Sequence, residues 1–116
     1  VNNPTFISNG YVWQGLFFDG ISNQYLYTSY IPLISTSFTI EAWLYPMSSN
    51  SQIDLAILGL CTNPFNDQCL HLTIRNVSSS YRLYFSFFGD NIVGNDPVPM
   101  NQWIHAAFTF DNRTHT

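Results

Sequence analysis

Glu41 is the one glutamate of the chain. Glycoside hydrolysis needs two carboxylates, about 5–5.5 Å apart for retention or about 6.5–9.5 Å for inversion. Glu41 is followed by Ala42 and Trp43, with no second acid nearby on that run, so it reads as a strand residue and no catalytic residue is expected. His105, in WIHAAF, shares an alternation face with Trp103 and Ala107 and reads as a packed histidine hydrogen-bonded to a neighbouring strand. His71, in CLHLTIR, reads as solvent-facing, and His115 lies too near the end of the sequence to say more. No nucleophile elbow and no Ser-His-Asp or Cys-His arrangement is visible.

Calcium is the metal that the polar residues suit best, because it takes six to eight oxygen ligands from Asp, Asn, carbonyls and water. Asp90, Asn91, Asn95 and Asp96 fall within one segment, and Asp19 sits at an Asp-Gly turn. The same residues are ordinary turn formers, so calcium and turn chemistry both stand as readings. Sugar binding would use exposed aromatic rings flanked by polar groups. Tyr25, Tyr27 and Tyr30 form such a stripe, with cross-strand packing as the alternative use of the same rings.

The two cysteines, Cys61 and Cys69, bracket TNPFNDQ, a segment rich in turn residues. Close, even spacing predicts one disulfide closing a loop, which contributes roughly 2.5 kcal/mol by chain entropy. Two unpaired buried thiols are the alternative. A metal at these cysteines is not expected, because no further pair of ligands stands at suitable spacing. Two Asn-X-Ser/Thr triplets begin at Asn76 and Asn112, while Asn3 is followed by Pro4 and is excluded. Asn76 lies in the polar turn NVSSS, where a glycan would face solvent.

These groups sit in a chain of 116 residues, a single domain's worth. Its composition is 46% hydrophobic and 17% aromatic, which excludes disorder and favours strands. Only 9% is charged, with three Arg, no Lys and a net charge of -4. A phosphate-binding nucleic-acid surface is excluded, and the same charge balance argues against electrostatic attachment to anionic membranes. Asn (12), Ser (12) and Thr (9) replace the missing charge, a surface that suits a secreted protein and gives little colloidal repulsion. No run approaches the ~20 apolar residues that span a bilayer, and no signal peptide is visible. The start at Val1 rather than Met is expected from a removed leader or a start within a longer chain.

The positioning elements read as strands. QYLYTSY, residues 24–30, alternates. SFTIEAWLYP alternates with Phe38, Ile40, Ala42 and Leu44 on one face, and Pro46 ends it. IDLAILGLC reads as a buried central strand. CLHLTIR, YRLYFSFF and WIHAAFTFD alternate as well, and GDNIVGNDPVP reads as a loop with room for one short strand. Many short strands with frequent turn signals predict an antiparallel sandwich or barrel.

FFDGISNQYLY, SFTIEAWLYP and MNQWIHAAFTFD, in this order, resemble the laminin-G-like branch of the concanavalin A-like lectin/glucanase family. The resemblance covers residues 16–111. It implies an all-β, antiparallel jelly-roll β-sandwich over residues 1–116 and a non-enzymatic module for extracellular binding or adhesion. The implied partners are glycans or matrix proteins, with calcium as the implied ion. The family pattern continues beyond its third motif with further strands. Three expectations follow: a longer chain, a shortened closed variant, or completion by strands of another subunit. The last would make the protein a filament subunit, associating with itself through open sheet edges.

Overall fold

The computed structural model describes residues 3–33, 35–47, 54–61, 69–87 and 90–114. Every regular element among them is a strand and every pairing is antiparallel. No helix among the described residues is long and apolar enough to cross a membrane. The chain divides into two compact units, Val1–Pro32 and Leu33–Thr116.

The first unit holds a hairpin of β1 (Thr5–Ile7) and β2 (Gly15–Phe17), with Phe6 opposite Leu16. The Asp19-Gly20 signal makes the turn it predicts. Asp19 Oδ1 accepts the backbone N–H groups of Ile21 (2.9 Å) and Ser22 (2.8 Å), and Gly20 takes φ 72°. These hydrogen bonds, led by that from the Ser22 hydroxyl, hold the Asp19 carboxyl below the usual 3.8. Residues 24–30 form no strand. Alternation alone does not make a strand, and Gln24 is used instead to tie the turn, accepting from Asp19 N and donating to the Asn3 carbonyl.

The second unit holds two sheets. One pairs β3 (Phe38–Leu44) with β8 (Ile104–Phe110). The other has the order β4-β5-β6-β7, from Asp54–Cys61, Cys69–Val77, Ser80–Phe87 and Asp90–Val93. Alternation along β3 and β8 turns Phe38, Ile40, Ala106 and Phe108 inward and leaves Thr39, Glu41, His105 and Thr109 exposed. Leu70, Leu72 and Phe85 of the larger sheet meet Ala106 and Phe108 of the smaller. Phe85 makes edge contacts with Phe38 (6.5 Å) and Phe108 (6.2 Å), so the two sheets pack face to face as a β-sandwich.

Among the described residues the apolar run at Asp54–Cys61 is an edge strand rather than a central one. A bulge between Ala56 and Leu58 breaks the alternation, so Ile57 and Leu58 are both half-buried against the core. The central strands are β5 and β6. They join through Ser78 and Ser79, both at positive φ (51° and 67°), as a two-residue type I′ turn requires. The predicted short strand after β6 is present as β7.

Candidate functional site

The outward face of the β3–β8 pair gathers the groups that could bind a ligand. Register places Trp43 opposite His105 and Glu41 opposite Ala107. The rings of Trp43 and His105 lie 5.0 Å apart, tilted by 51°. Tyr45 meets the edge of Trp103 at 5.5 Å. Trp43 and Tyr45 remain 43% and 47% exposed, so their rings pack against neighbours and still offer area to solvent. Glu41 Oε2 stands 3.6 Å from His105 Nε2. An exposed pair of this kind adds at most about 1 kcal/mol to stability, so it orients the imidazole more than it holds the sheet together.

His105 also belongs to a groove of about 470 Å³, whose walls include Leu83, Gly94, Asn95, Asp96, Pro97 and Ile104. The groove is open to solvent along one side. Its rim is pinned by three backbone hydrogen bonds: Gly94 N to Leu83 O, Val98 N to Tyr81 O, and Asn101 N to Pro46 O. The groove offers Asn95, Asp96 and His105 as polar groups. The aromatic row begins at His105, on the partner strand's Trp43.

The predicted site residues fare differently. Tyr25, Tyr27 and Tyr30 are exposed, Tyr27 by 90%, yet they lie on irregular chain and have no sheet to align them. Asn91 lies in β7, whereas Asn95 and Asp96 follow it in a bend. The side chain of Asp90 falls outside the described atoms. Arg82 donates through Nη1 to the carbonyl oxygens of Gly94 (3.1 Å) and Asn95. Arg82 thus ties down two carbonyl oxygens of the bend that holds Asn95 and Asp96.

Cys61 and Cys69 are register partners joined by a disulfide, with Cα atoms 4.1 Å apart. The segment between them, residues 62–68, lies outside the described residues, as does His115. Asn76 is exposed, next to the β5–β6 turn. Asn112 is half-buried, and its backbone N–H donates to Ser37 Oγ at 3.0 Å.

Sequence reading missed the Trp43–His105–Glu41 grouping. Each residue was legible as lying on an outward strand face, but the register that joins strands some sixty positions apart was not. A family model described as the concanavalin A-like lectin/glucanases superfamily, of laminin-G type, matches residues 4–116. No curated protein and no solved structure is similar enough to match.

Proposed function

Since the chain belongs to the concanavalin A-like lectin/glucanases superfamily, we propose that it is a secreted, non-enzymatic module that recognises glycans or glycosylated matrix through the outer face of β3–β8. Laminin-G-like members are commonly binding or adhesion modules, although the superfamily also includes glycosidases. The observation that carries the reading is the exposed Trp43 ring set against His105, a residue that also lines the groove. Aromatic faces supply apolar area for a pyranose ring, and Glu41, Asn95 and Asp96 can bond its hydroxyls. Hydrolysis is not assigned, because Glu41 is the one carboxylate of β3 and β8.

The test is binding to an immobilised panel of neutral and acidic glycans. Trp43→Ala/Tyr45→Ala is expected to abolish retention, while Tyr25→Ala/Tyr27→Ala leaves it intact. The opposite pattern moves the site to the tyrosine segment. No retention by the unaltered protein defeats the reading. Hydrolysis of any panel member that disappears in Glu41→Gln would make the protein a glycosidase instead.

Glycosylation belongs to the same reading. The exposure of Asn76 at a hairpin end supports a glycan there, and Asn112, with its restrained backbone, is the poorer acceptor. Intact mass before and after removal of N-glycans, repeated on Asn76→Gln, reads this directly.

A second reading is a filament subunit assembled by strand complementation. It is favoured by the edges of β3 and β8, each of which has one strand neighbour among the described residues. Electron microscopy of the native material separates the two: regular filaments support complementation, and dispersed particles support the binding module alone.

A further inference from the structure

The Cys61–Cys69 disulfide lies on the outward face of the larger sheet, not in the core. Its neighbour pair in the ladder, Leu60 and Leu70, turns inward, where Leu70 is 1% exposed. The next outward rung pairs Gly59 with His71. One ligand atom each from Cys61, Cys69 and His71 falls within 4.8 Å of the other two. On the fourth corner, a Cβ added to Gly59 would meet nothing within 4 Å. Two thiols, an imidazole and an open corner are the donor set of a three-ligand zinc site with one exchangeable position.

We propose that Cys61, Cys69 and His71 form a thiol-gated site for a thiophilic d10 cation, with Zn²⁺ as its type. While the disulfide is intact the site is closed, because both sulfurs are spent on each other. A phosphine reductant opens it: the Sγ–Sγ bond breaks, phosphorus takes oxygen from water and becomes the phosphine oxide, and the two protons of that water go to the two thiols. Zn²⁺ then displaces both protons and takes two thiolates and the neutral His71 imidazole, with water at the Gly59 corner. Strand pairing supplies the preorganisation. Seven register pairs join β4 to β5 from Asp54↔Arg75 to Cys61↔Cys69, so splitting the bridge leaves the cysteines facing each other and the apolar core covered. Soft thiolates select zinc over calcium or magnesium.

The experiment uses the whole chain, reduced with a phosphine, desalted without oxygen and titrated with Zn²⁺. Co²⁺ serves as the spectroscopic probe, and circular dichroism follows the fold. One Zn²⁺ per reduced chain is expected, none per oxidised chain, with thiolate-to-cobalt charge-transfer absorption and slower return to the disulfide when zinc is bound. Losing even an outer partner of a metal ligand costs roughly 10- to 100-fold in affinity, and His71→Ala is expected to lose at least that much. Cys61→Ser/Cys69→Ser is expected to bind none. Zinc uptake unchanged in His71→Ala, uptake by the oxidised chain, or no uptake by a folded reduced chain each overturns the proposal. Unfolding on reduction also overturns it, because the ladder is then unable to hold the ligands.

Discussion

Trp43 and His105 are register partners on the exposed side of a two-stranded sheet, and their rings touch at a centroid distance of 5.0 Å. A cross-strand contact of this kind serves stability and recognition together. Aromatic pairs add about 0.5–1.5 kcal/mol beyond the area they bury. A double-mutant cycle of Trp43→Ala and His105→Ala, followed by urea unfolding, is expected to give a coupling energy in that range. A coupling near zero would mean that the rings are neighbours without mutual stabilisation.

The Thr73 hydroxyl is the one buried side-chain polar atom without a hydrogen-bond partner among the described residues. It sits on β5, between Ala56 of β4 and Tyr84 of β6. An unsatisfied buried hydroxyl costs roughly 1–3 kcal/mol relative to an apolar group of the same shape. Thr73→Val is therefore expected to raise the unfolding free energy by about 1 kcal/mol, read as a higher urea midpoint at constant slope. Leu72→Ala, at a fully buried position on the same strand, is the control in the opposite direction, with a loss of about 2–5 kcal/mol.

These two neighbours also show what the sequence can and cannot reveal. The inward placing of Leu70, Leu72 and Ile74 is legible from alternation, and the burial of the adjacent Thr73 is not, because it depends on what covers the other face. The same limit applies at β4. A bulge at Ala56/Leu58 turns two successive apolar residues inward, and a sequence pattern cannot distinguish that from burial on both faces. The turns were readable, since Asp19 acts through a carboxylate that caps N–H groups two and three residues on, and Gly20 and the Ser78–Ser79 pair act through their own backbones. The Cys61–Cys69 bridge was readable for a similar local reason. The Tyr25–Tyr30 stripe was misleading, because alternation reports a strand only where another strand supplies a ladder. His71 shares a strand face with Cys69 by alternation alone, whereas its place opposite Gly59 comes from the β4–β5 register, which no short-range signal encodes.

Arg82 holds the bend after β7 through the carbonyl oxygens of Gly94 and Asn95. Arg82→Gln is expected to loosen the groove wall, lowering Tm by a few degrees and weakening glycan retention. Calcium is expected to rescue neither effect, and in the unaltered protein neither calcium nor a chelator is expected to move Tm. A calcium-dependent rise in Tm would place an ion on this bend or elsewhere in the chain.

Asp111 joins the end of β8 to the start of β3. Its Oδ1 accepts from the Arg113 backbone N–H (2.9 Å), from the Ser37 hydroxyl (3.2 Å) and from Arg113 Nε (3.4 Å). The Arg113 hydrogen bonds lead in holding its pKa below the ordinary 3.8. A carboxyl depressed in the folded state binds its proton more readily when the chain unfolds, so stability falls with pH in that window. The contribution is fully present above 3.8, declines as pH drops through and below that value, and is gone once the folded carboxyl is protonated. Asp111→Asn is therefore expected to be less stable than the unaltered protein at neutral pH. The gap in Tm should close as pH falls below the ordinary Asp range. Parallel thermal melts across that range read the convergence directly. A gap independent of pH would show that Asp111 acts through its shape and neutral hydrogen bonds rather than through its charge.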